Sequence, residues 1–286
     1  MAPAQLNVGQ FGPGLCRADT TPKPFPDPNS TKGYWMLGND GGVFTFGSAT
    51  FYGSLPGLHI QNQSLAINAT RSGNGYWILG QDGGVFSFGD ASYRGSVPGL
   101  NLGVPVEVVD MKRTPTGNGY WVLGKDGGIF TFGDAQYYGS VPGLHLPTGV
   151  TVKKLAPTTT GHGYWILGSD GGIFSFGDAT FHGSVPGLNL GVAVNGQSLA
   201  ADPQGRGYWV MGTDGGVFTF GVPYYGSVPG TGTCNPPFAT QLTATSNGYY
   251  VTSWIGAMYA FGNAPFYGGY PHLTLATAAV DLTIKT

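Results

Sequence analysis

The chain has 286 residues, of which 52 are glycine and 21 are proline, and its formal net charge is −2. Aromatic residues make up 14% of the chain and charged residues only 9%, which excludes highly charged disorder and disfavours a long amphipathic helical protein. The slightly acidic balance excludes a basic footprint for nucleic acid, and no apolar run reaches the roughly 18 residues that a membrane span needs.

Residues 1–32 form the first predicted segment, an N-terminal arm that precedes the rest of the fold. Within it, residues 21–28 carry proline at alternate positions, which prevents a ladder strand because proline lacks the backbone N–H donor. The first four residues have no apolar core of the kind found in signal peptides. We expect a mature N-terminus with an added methionine, from a secreted protein whose signal peptide is absent; the alternative is a cytosolic start.

A Gly-Tyr-Trp block recurs along the remainder of the chain. Five copies begin at Gly33, Gly75, Gly119, Gly163 and Gly207, and a weaker Gly-Tyr-Tyr copy begins at Gly248. The steps between these starts are 42, 44, 44, 44 and 41 residues. Most copies continue into an Asp-Gly-Gly turn, an apolar Phe-Gly run and a Ser-Val-Pro-Gly close. Such regular spacing indicates one repeat domain over residues 33–286.

The second copy shows how one repeat should fold. Its Tyr-Trp block is apolar on both faces, which favours a buried strand, and Asp82-Gly83 suits a tight hairpin turn to a returning strand at 84–88. Residues 91–96 should form an outer strand, and an apolar strand at 64–68 precedes the block. Four short antiparallel strands per repeat are typical of a propeller blade, so the predicted fold is all-β.

Six repeats predict a six-bladed β-propeller of four-stranded antiparallel blades. Copies two to six each have an apolar strand upstream, whereas copy one is preceded by the proline-rich arm. Residues 279–284 form one further apolar strand with no block after it. We therefore expect the C-terminal strand to pair into blade one, which closes the ring and removes an exposed sheet edge.

The two cysteines fit the same arrangement. Cys16 lies in the arm, and Cys234 lies in the connection between copies five and six, which a closed ring places beside copy one. A disulfide between them would tether the arm and imply an oxidising, extracellular setting. The alternative is two free thiols, and neither cysteine has metal-site spacing or catalytic neighbours.

The order of blocks (apolar strand, Gly-Tyr-Trp, Asp-Gly-Gly, Val-Phe-Thr-Phe-Gly and Val-Pro-Gly) resembles the blades of tectonin-type and regulator-of-chromosome-condensation-type propellers. It is more similar still to uncharacterised propeller repeats of secreted actinobacterial proteins, which have like Gly-Tyr-Trp and Phe-Gly-Asp-Ala blocks. The resemblance covers about residues 33–286. By analogy it implies either a lectin, as tectonin-like propellers often are, or a protein binder, as β-lactamase-inhibitory propellers are.

The sequence predicts no enzyme, no cofactor and no metal site. The chain has five histidines, and Glu107 is its single glutamate. The position after Pro-Gly-Leu is histidine in two copies (His59 and His145) and asparagine in two others, which indicates a tolerant loop position. No Ser-elbow, His-x-x-His or phosphate-loop pattern is present. A hydrolase with a site in the central channel is the weaker alternative, because the sequence offers it no acid–base pair.

The repeated aspartates and tryptophans are predicted to be structural. The turn aspartates are Asp40, Asp82, Asp126, Asp170 and Asp214, and the second set is Asp90, Asp134 and Asp178. Aspartate in a turn hydrogen-bonds nearby backbone amides, and one carboxylate per blade cannot supply the six to eight oxygens of a Ca²⁺ cage. The alternative for the second set is a hydrogen bond to a polar ligand. The five block tryptophans should be buried between blades.

The position before each Gly-Ser close is the most informative candidate for ligand binding. It is occupied by Tyr52, Arg94, Tyr138, His182, Tyr225 and Tyr267. The preceding residue is always aromatic, namely Phe51, Tyr93, Tyr137, Phe181, Tyr224 and Phe266. Strand alternation places the two sets on opposite faces. We expect the uniformly aromatic set to be packed and the mixed set to be partly exposed, either as a ligand surface or as an ordinary solvated strand.

Copy six departs from the pattern, because Trp254 stands in the sequence that replaces the Asp-Gly-Gly turn. A tryptophan at a hairpin tip should be exposed, where it can bind a ligand, a partner or the arm.

The expected function is that of a secreted, monomeric binding module. The first candidate is lectin-like binding of a cell-wall or extracellular glycan through repeated sites between blades. The alternative is a protein-binding scaffold or inhibitor that uses one face and copy six.

Overall fold

The computed structural model describes residues 30–145, 151–231, 238–269 and 277–285. The strands in this part of the chain are β1 (Gly33–Gly38), β2 (Val43–Gly47), β3 (Ser64–Ala69), β4 (Gly75–Gly80), β5 (Val85–Gly89), β6 (Val108–Arg113), β7 (Gly119–Gly124), β8 (Ile129–Gly133), β9 (Val152–Pro157), β10 (Gly163–Gly168), β11 (Ile173–Gly177), β12 (Gly196–Ala201), β13 (Tyr208–Gly212), β14 (Val217–Phe220), β15 (Ala239–Thr245), β16 (Gly248–Ser253), β17 (Met258–Gly262) and β18 (Ala279–Lys285). Single-turn 3-10 helices span Pro56–Leu58, Pro98–Leu100, Pro142–Leu144, Pro186–Leu188 and Pro229–Thr231. Within the described ranges, no helix has the length and apolar character to cross a membrane.

The strands form six antiparallel sheets, which we number I to VI by the chain order of their middle strands. Their strand orders are β18-β1-β2, β3-β4-β5, β6-β7-β8, β9-β10-β11, β12-β13-β14 and β15-β16-β17. Each middle strand contains the Tyr-Trp or Tyr-Tyr pair and is buried along its whole length. A strand covered on both faces needs apolar side chains at consecutive positions, which explains why these blocks show no alternation.

The C-terminal strand belongs to the first sheet, as predicted. β18 pairs antiparallel with β1, so that Thr283 lies opposite Trp35 and Asp281 lies opposite Leu37. The first strands of the sheets contact one another in the order β18, β3, β6, β9, β12 and β15, and β15 in turn contacts β18. The two ends of the repeat domain therefore meet in one sheet, and β1 is spared an unpaired edge.

The fourth, outer strand predicted at residues 91–96 is not found in the described structure. After β5 the backbone of this segment bonds to side chains instead of a ladder. Trp77 Nε1 donates to the Ser92 carbonyl at 2.9 Å, and the Tyr120 hydroxyl of sheet III donates to the Gly95 carbonyl at 2.6 Å. The segment thereby connects two sheets, so each sheet has three strands within the described residues.

The hydrophobic core lies between neighbouring sheets. Each interface packs the tryptophan of one sheet against the tyrosine of the next. The pairs are Trp35–Tyr76, Trp77–Tyr120, Trp121–Tyr164, Trp165–Tyr208 and Trp209–Tyr249, with ring centroids 5.3 to 6.0 Å apart. Between sheets VI and I, Tyr250 takes the place of the tryptophan and lies 5.2 Å from Tyr34. The predicted burial of all five tryptophans is confirmed.

The tyrosine hydroxyl makes the same two hydrogen bonds at every interface. Tyr120 donates to the Gly95 carbonyl and accepts from the Arg94 backbone N–H at 3.1 Å. Tyr34, Tyr76, Tyr164, Tyr208 and Tyr249 make the equivalent pairs of bonds. Burial raises the pKa of Tyr120, Tyr164 and Tyr208 to about 12, which the backbone hydrogen bonds only partly offset.

The glycine that follows the ligand-candidate position is required by this packing. Gly95 has φ of 128°, and a Cβ there would lie 2.6 Å from the ring of Phe132 in sheet III. Gly53 and Phe88 repeat the relation between sheets I and II. Glycine therefore recurs at this position because a side chain there would collide with an aromatic ring of the next sheet.

Removal of one interface hydroxyl should destabilise the fold. Tyr120→Phe leaves the Gly95 carbonyl and the Arg94 N–H without their partner, and we expect the free energy of unfolding to fall by about 1–3 kcal/mol. Tyr93→Phe is the matched control, because Tyr93 is exposed and its hydroxyl donates to the nearby Ser96 Oγ at 3.0 Å rather than to another sheet. Urea denaturation followed by circular dichroism measures both, and equal effects would contradict the assigned role.

The buried tyrosines should also make stability depend on alkaline pH. Their pKa is about 10 in the unfolded chain and about 12 in the folded one. Above pH 10 the unfolded state loses these protons and the folded state keeps them, so stability present below pH 10 is lost as pH rises towards 12. We expect the free energy of unfolding to fall over this range, and to fall less steeply in Tyr120→Phe. An identical slope in the variant would refute the assignment.

Candidate functional site

Two surface pockets lie at equivalent positions between neighbouring sheets, at the end where the middle and third strands turn. The first, between sheets I and II, has a volume of about 570 Å³, and the second, between sheets II and III, about 400 Å³. Each is lined by the turn aspartate (Asp40 or Asp82), by the proline that begins a 3-10 helix, and by the residue after that helix. We call them the hairpin-end pockets.

The turn aspartates hold the hairpins, as the sequence predicts. Asp40 Oδ1 accepts a hydrogen bond from the Gly42 N–H at 2.9 Å, and Asp82 Oδ1 accepts one from Gly84 at the same distance. Asp82 also accepts a bond from the Asn62 side-chain amide at 2.8 Å. Asn62 lines the first pocket, so this amide links the first pocket to the aspartate of the second.

The residue after each 3-10 helix adopts a left-handed backbone conformation. His59, Asn101, His145 and Asn189 have φ between 49° and 58°. Asparagine and histidine enter this region more readily than most residues, which explains why these two types alternate here. The position is the cap of a Pro-Gly-Leu turn, and His59 N–H donates to the Pro56 carbonyl at 3.0 Å. The predicted loop role of His59 and His145 is therefore confirmed.

The first hairpin-end pocket is rich in uncharged polar groups. Asn39, Gln61, Asn62 and Gln63 line it with side-chain amides, and Thr277 adds a hydroxyl. An amide presents both a donor and an acceptor, which matches the alternating donors and acceptors of a polyhydroxylated ligand. Apart from Asn39 in the β1–β2 turn, these residues fall in the loops before β3 and β18, where the repeat pattern provides no signal, and sequence reasoning missed them.

The residues predicted to bind a ligand also take part in the contacts between neighbouring sheets. Each of Tyr52, Arg94, Tyr138, His182, Tyr225 and Tyr267 donates its backbone N–H to a tyrosine hydroxyl of the next sheet. Arg94 and His182 are exposed, and three of the tyrosines are half-buried. Tyr267 is buried, so the expected partial exposure is wrong there, because its ring packs 5.6 Å from Tyr34.

The uniformly aromatic set faces solvent more than expected. Phe51, Tyr93, Tyr137 and Phe181 are 55–58% exposed, while Tyr224 and Phe266 are half-buried. The prediction that this set is packed is wrong for the four exposed residues. It assumed a regular strand, whereas the segment is tied to the next sheet through the residue that follows each aromatic. The outer surface thus presents one exposed ring in each of sheets I to IV.

The second aspartate set forms clamps within single sheets. In sheet III, Asp134 Oδ1 accepts from Thr114 Oγ1 at 2.9 Å and Oδ2 accepts from Thr116 Oγ1 at 2.5 Å. Asp90 and Asp178 make the same pair of bonds to hydroxyls in sheets II and IV. Because both oxygens already have donors, this geometry fits the predicted turn role. The alternative role in ligand binding stays a prediction.

Residues of all six first strands line one cavity of about 340 Å³, which we call the channel, and buried polar groups lie in the same strands. Asp281, Asp110 and Ser198, in sheets I, III and V, each accept a hydrogen bond from a backbone N–H of the next sheet at 2.9–3.0 Å. All three stand opposite the fifth residue of the Gly-Tyr-Trp block, which is Leu37, Leu123 or Met211. They interrupt otherwise apolar strands, and that interruption is the sequence signal that could have identified them.

Two lysines compensate the channel aspartates. Lys112 Nζ lies 3.3 Å and Lys154 Nζ lies 3.7 Å from Asp110 Oδ1. Burial opposes the charge of Lys112, but Asp110 and Asp281 outweigh it and raise the Lys112 pKa. A paired and hydrogen-bonded carboxylate of this kind suits a structural role. Within the described ranges, no group of three or more His, Cys, Asp and Glu residues is placed to hold a metal ion.

Trp254 lies at the turn between β16 and β17 and is 47% exposed, as predicted. Its backbone N–H donates to the backbone carbonyl of Phe238 at 3.0 Å, and Phe238 is itself 71% exposed. Sheet III has the ion pair Lys125–Glu107 at the equivalent two positions. Sheet VI therefore replaces a polar pair with an exposed apolar pair, which we call the Trp254–Phe238 patch.

Several predictions concern residues outside the described part of the chain. The arm up to residue 29, Cys16 and Cys234 all lie there. The Cys16–Cys234 disulfide and the arm as a separate segment consequently stay predictions.

No protein-family model matches this sequence, and no curated protein matches it. Among solved structures, the chain is similar to one titled "Crystal structure of Nidogen/Laminin Complex", with a TM-score of 0.58 and 9% sequence identity. The similarity covers 89% of this chain and 98% of that chain. At this identity it shows the fold alone. Together with the six repeated sheets, it identifies a β-propeller repeat fold.

Proposed function

We propose that this protein is a secreted, non-catalytic binding module, built as a closed six-bladed propeller, that binds glycans through the hairpin-end pockets. The main supporting observation is that equivalent residues form a pocket at two successive sheet interfaces. A binding site that recurs with the repeat gains avidity from weak individual contacts. The resemblance of the blades to tectonin-type propellers, which are often lectins, agrees with this proposal.

The chemistry of the first pocket favours a neutral saccharide. Its lining contains four amides and one hydroxyl but a single carboxylate, Asp40, one oxygen of which is already bonded to Gly42. Such groups bind sugar hydroxyls through paired donors and acceptors without the desolvation cost of a charge. The exposed rings of Phe51 and Tyr93 supply stacking surface elsewhere on the same blades.

Amide removal should weaken glycan binding at the first pocket. We expect the double variant Gln61→Ala/Gln63→Ala to lower affinity for a bound neutral oligosaccharide by about tenfold, the effect of losing roughly 1.4 kcal/mol of hydrogen bonding. The matched control is Gln136→Ala, which changes an exposed amide outside the pocket. A glycan array that includes cell-wall polysaccharides selects the ligand, and calorimetry measures the affinities. If no glycan on the array binds the protein, the proposal is refuted.

A protein partner is the second candidate, and the Trp254–Phe238 patch favours it. Exposed aromatic pairs are typical hot spots of protein interfaces. The similar solved structure is, by its title, part of a complex between two proteins, which shows that a chain of this fold can serve in such an assembly. Like the glycan proposal, this role needs no catalytic group.

Truncation of Trp254 distinguishes the two candidates. If a partner binds the patch, Trp254→Ala should reduce capture of a defined secreted partner by more than about thirtyfold, as hot-spot losses of 2 kcal/mol or more do. Glycan binding at the hairpin-end pockets should be unchanged. Tyr137→Ala, which removes an exposed ring from another sheet, is the control. Retained capture by Trp254→Ala would exclude the patch as the interface.

A further inference from the structure

A cavity of about 750 Å³ lies at the opposite end of the sheets from the hairpin-end pockets, beside sheets VI and I. We call it the channel-mouth cavity. Three cationic side chains line it: Lys32 just before β1, Lys285 at the end of β18 and Arg113 at the end of β6. None of its lining residues is acidic. None of the ion pairs found within the described residues includes any of these three cations.

Three of the other sheets have an aspartate at this end, and the sheets beside the cavity do not. At this end of sheets II, III and IV, the residue after the third strand is Asp90, Asp134 or Asp178, each bonded to a threonine that follows the first strand. In sheets V, VI and I the equivalent position is Val222, Asn263 and Ser48. Lys285 stands opposite Gly33, at the register position where the three sheets that keep the aspartate have the threonine. The cavity therefore forms where the repeated carboxylate is missing.

Sheet VI has the threonine of this clamp but not the aspartate that accepts its hydrogen bond in sheets II to IV. Thr245 stands opposite Gly248, as Thr114 stands opposite Gly119 in sheet III. Thr245 Oγ1 is buried and has no hydrogen-bond partner within the described residues, and it lines the cavity. The turn that follows Thr245 has two residues before Gly248, whereas the turn after Thr114 has four before Gly119. The shorter turn leaves the space that the cavity occupies.

The cations keep donors for a ligand. Lys285 Nζ donates to the Ser48 carbonyl at 2.9 Å, and one Arg113 nitrogen donates to the Thr114 carbonyl at 3.2 Å. An ammonium has three donors and a guanidinium five, so both groups retain free donors after these bonds. Burial, reinforced by the positive charge of Arg71, lowers the pKa of Arg113.

We propose that the channel-mouth cavity binds the oxyanion group of a small ligand, a carboxylate, sulfate or phosphate, between Lys32, Arg113 and Lys285. Clefts lined by one sign of charge concentrate ligands of the opposite sign. Arginine and lysine form their strongest hydrogen bonds with oxyanions. Thr245 Oγ1 and the Asn247 and Asn263 amides add neutral donors. This inference does not depend on the proposed function, because the hairpin-end pockets lie at the other end of the sheets.

Direct titration tests the site. Inorganic sulfate, inorganic phosphate, a uronic-acid disaccharide, a sulfated disaccharide and the parent neutral disaccharide are titrated by calorimetry at about 10 mM ionic strength, where screening is weak. We expect the anionic probes to bind and the neutral disaccharide not to bind at this site. The two acidic disaccharides and the two inorganic ions distinguish a sugar-borne oxyanion from a free one. Failure of every oxyanion to bind would overturn the proposal.

Charge variants locate the bound oxyanion. Arg113→Gln should weaken binding by about tenfold and Lys32→Gln by about threefold, since the arginine is half-buried and Lys32 is exposed. Lys153→Gln is the control, because it removes the same charge from an exposed position that does not line the cavity. If Arg113→Gln fails to fold, Lys32→Gln, outside every strand, still tests the site. Equal weakening by the control would assign binding to net charge alone.

Restoration of the missing aspartate provides the sharpest test. Asn263→Asp copies the residue that sheets II, III and IV have at this position, and Thr245 Oγ1 is the hydroxyl that bonds to it there. We expect this variant to keep or raise the unfolding midpoint and to weaken oxyanion binding by about tenfold or more through charge repulsion. Glycan binding at the hairpin-end pockets should not change. Full retention of oxyanion affinity in a folded Asn263→Asp protein would overturn the proposal.

Discussion

Each sheet of this protein depends on a tyrosine that belongs to the next sheet. Three strands of four to seven residues cannot bury both faces of their middle strand alone, so the neighbouring sheets supply the cover. The tyrosine ring packs on the preceding tryptophan, and its hydroxyl bonds the backbone of the segment that leaves the preceding sheet. Because the same contact repeats at every interface, including that between sheets VI and I, the C-terminal strand must join β1 for the series to be complete.

Because these contacts lie along the middle of the sheets, the residues at the two ends of the sheets can vary between copies. The interface aromatics and the hydrogen bonds of Asp110 and Asp281 hold the middle of each sheet, and the residues that line the pockets at the two ends differ between copies. One end keeps a constant turn aspartate and forms similar pockets at successive interfaces. The other end keeps an aspartate clamp in sheets II to IV and lacks it in sheets V, VI and I, and three cations line a cavity at this end. Repetition favours multivalent binding at the first end, and its interruption favours a single distinct site at the second.

The outer segments mark the limit of local pattern reasoning. Period-two alternation assigned Phe51 and Tyr93 to a packed face, although both are exposed. The alternation rule assumes a ladder within one sheet, whereas these residues follow a backbone that is held by Tyr76 and Tyr120 of the next sheet. The hydroxyl contact that decides their orientation spans 23 to 26 residues, beyond any short-range pattern.

The sequence by itself determined the number of repeats, the antiparallel order within each, the buried Tyr-Trp strands and the pairing of the C-terminal strand with the first block. These features can be read from the sequence because each copy packs in the same way between two neighbouring sheets and therefore needs the same residue types at the same positions. Only the tertiary structure decided which aromatic rings face solvent, and that Lys32, Arg113 and Lys285 line one cavity. Such features arise where copies differ, from residues far apart in the chain, and their meeting depends on the order in which the sheets pack.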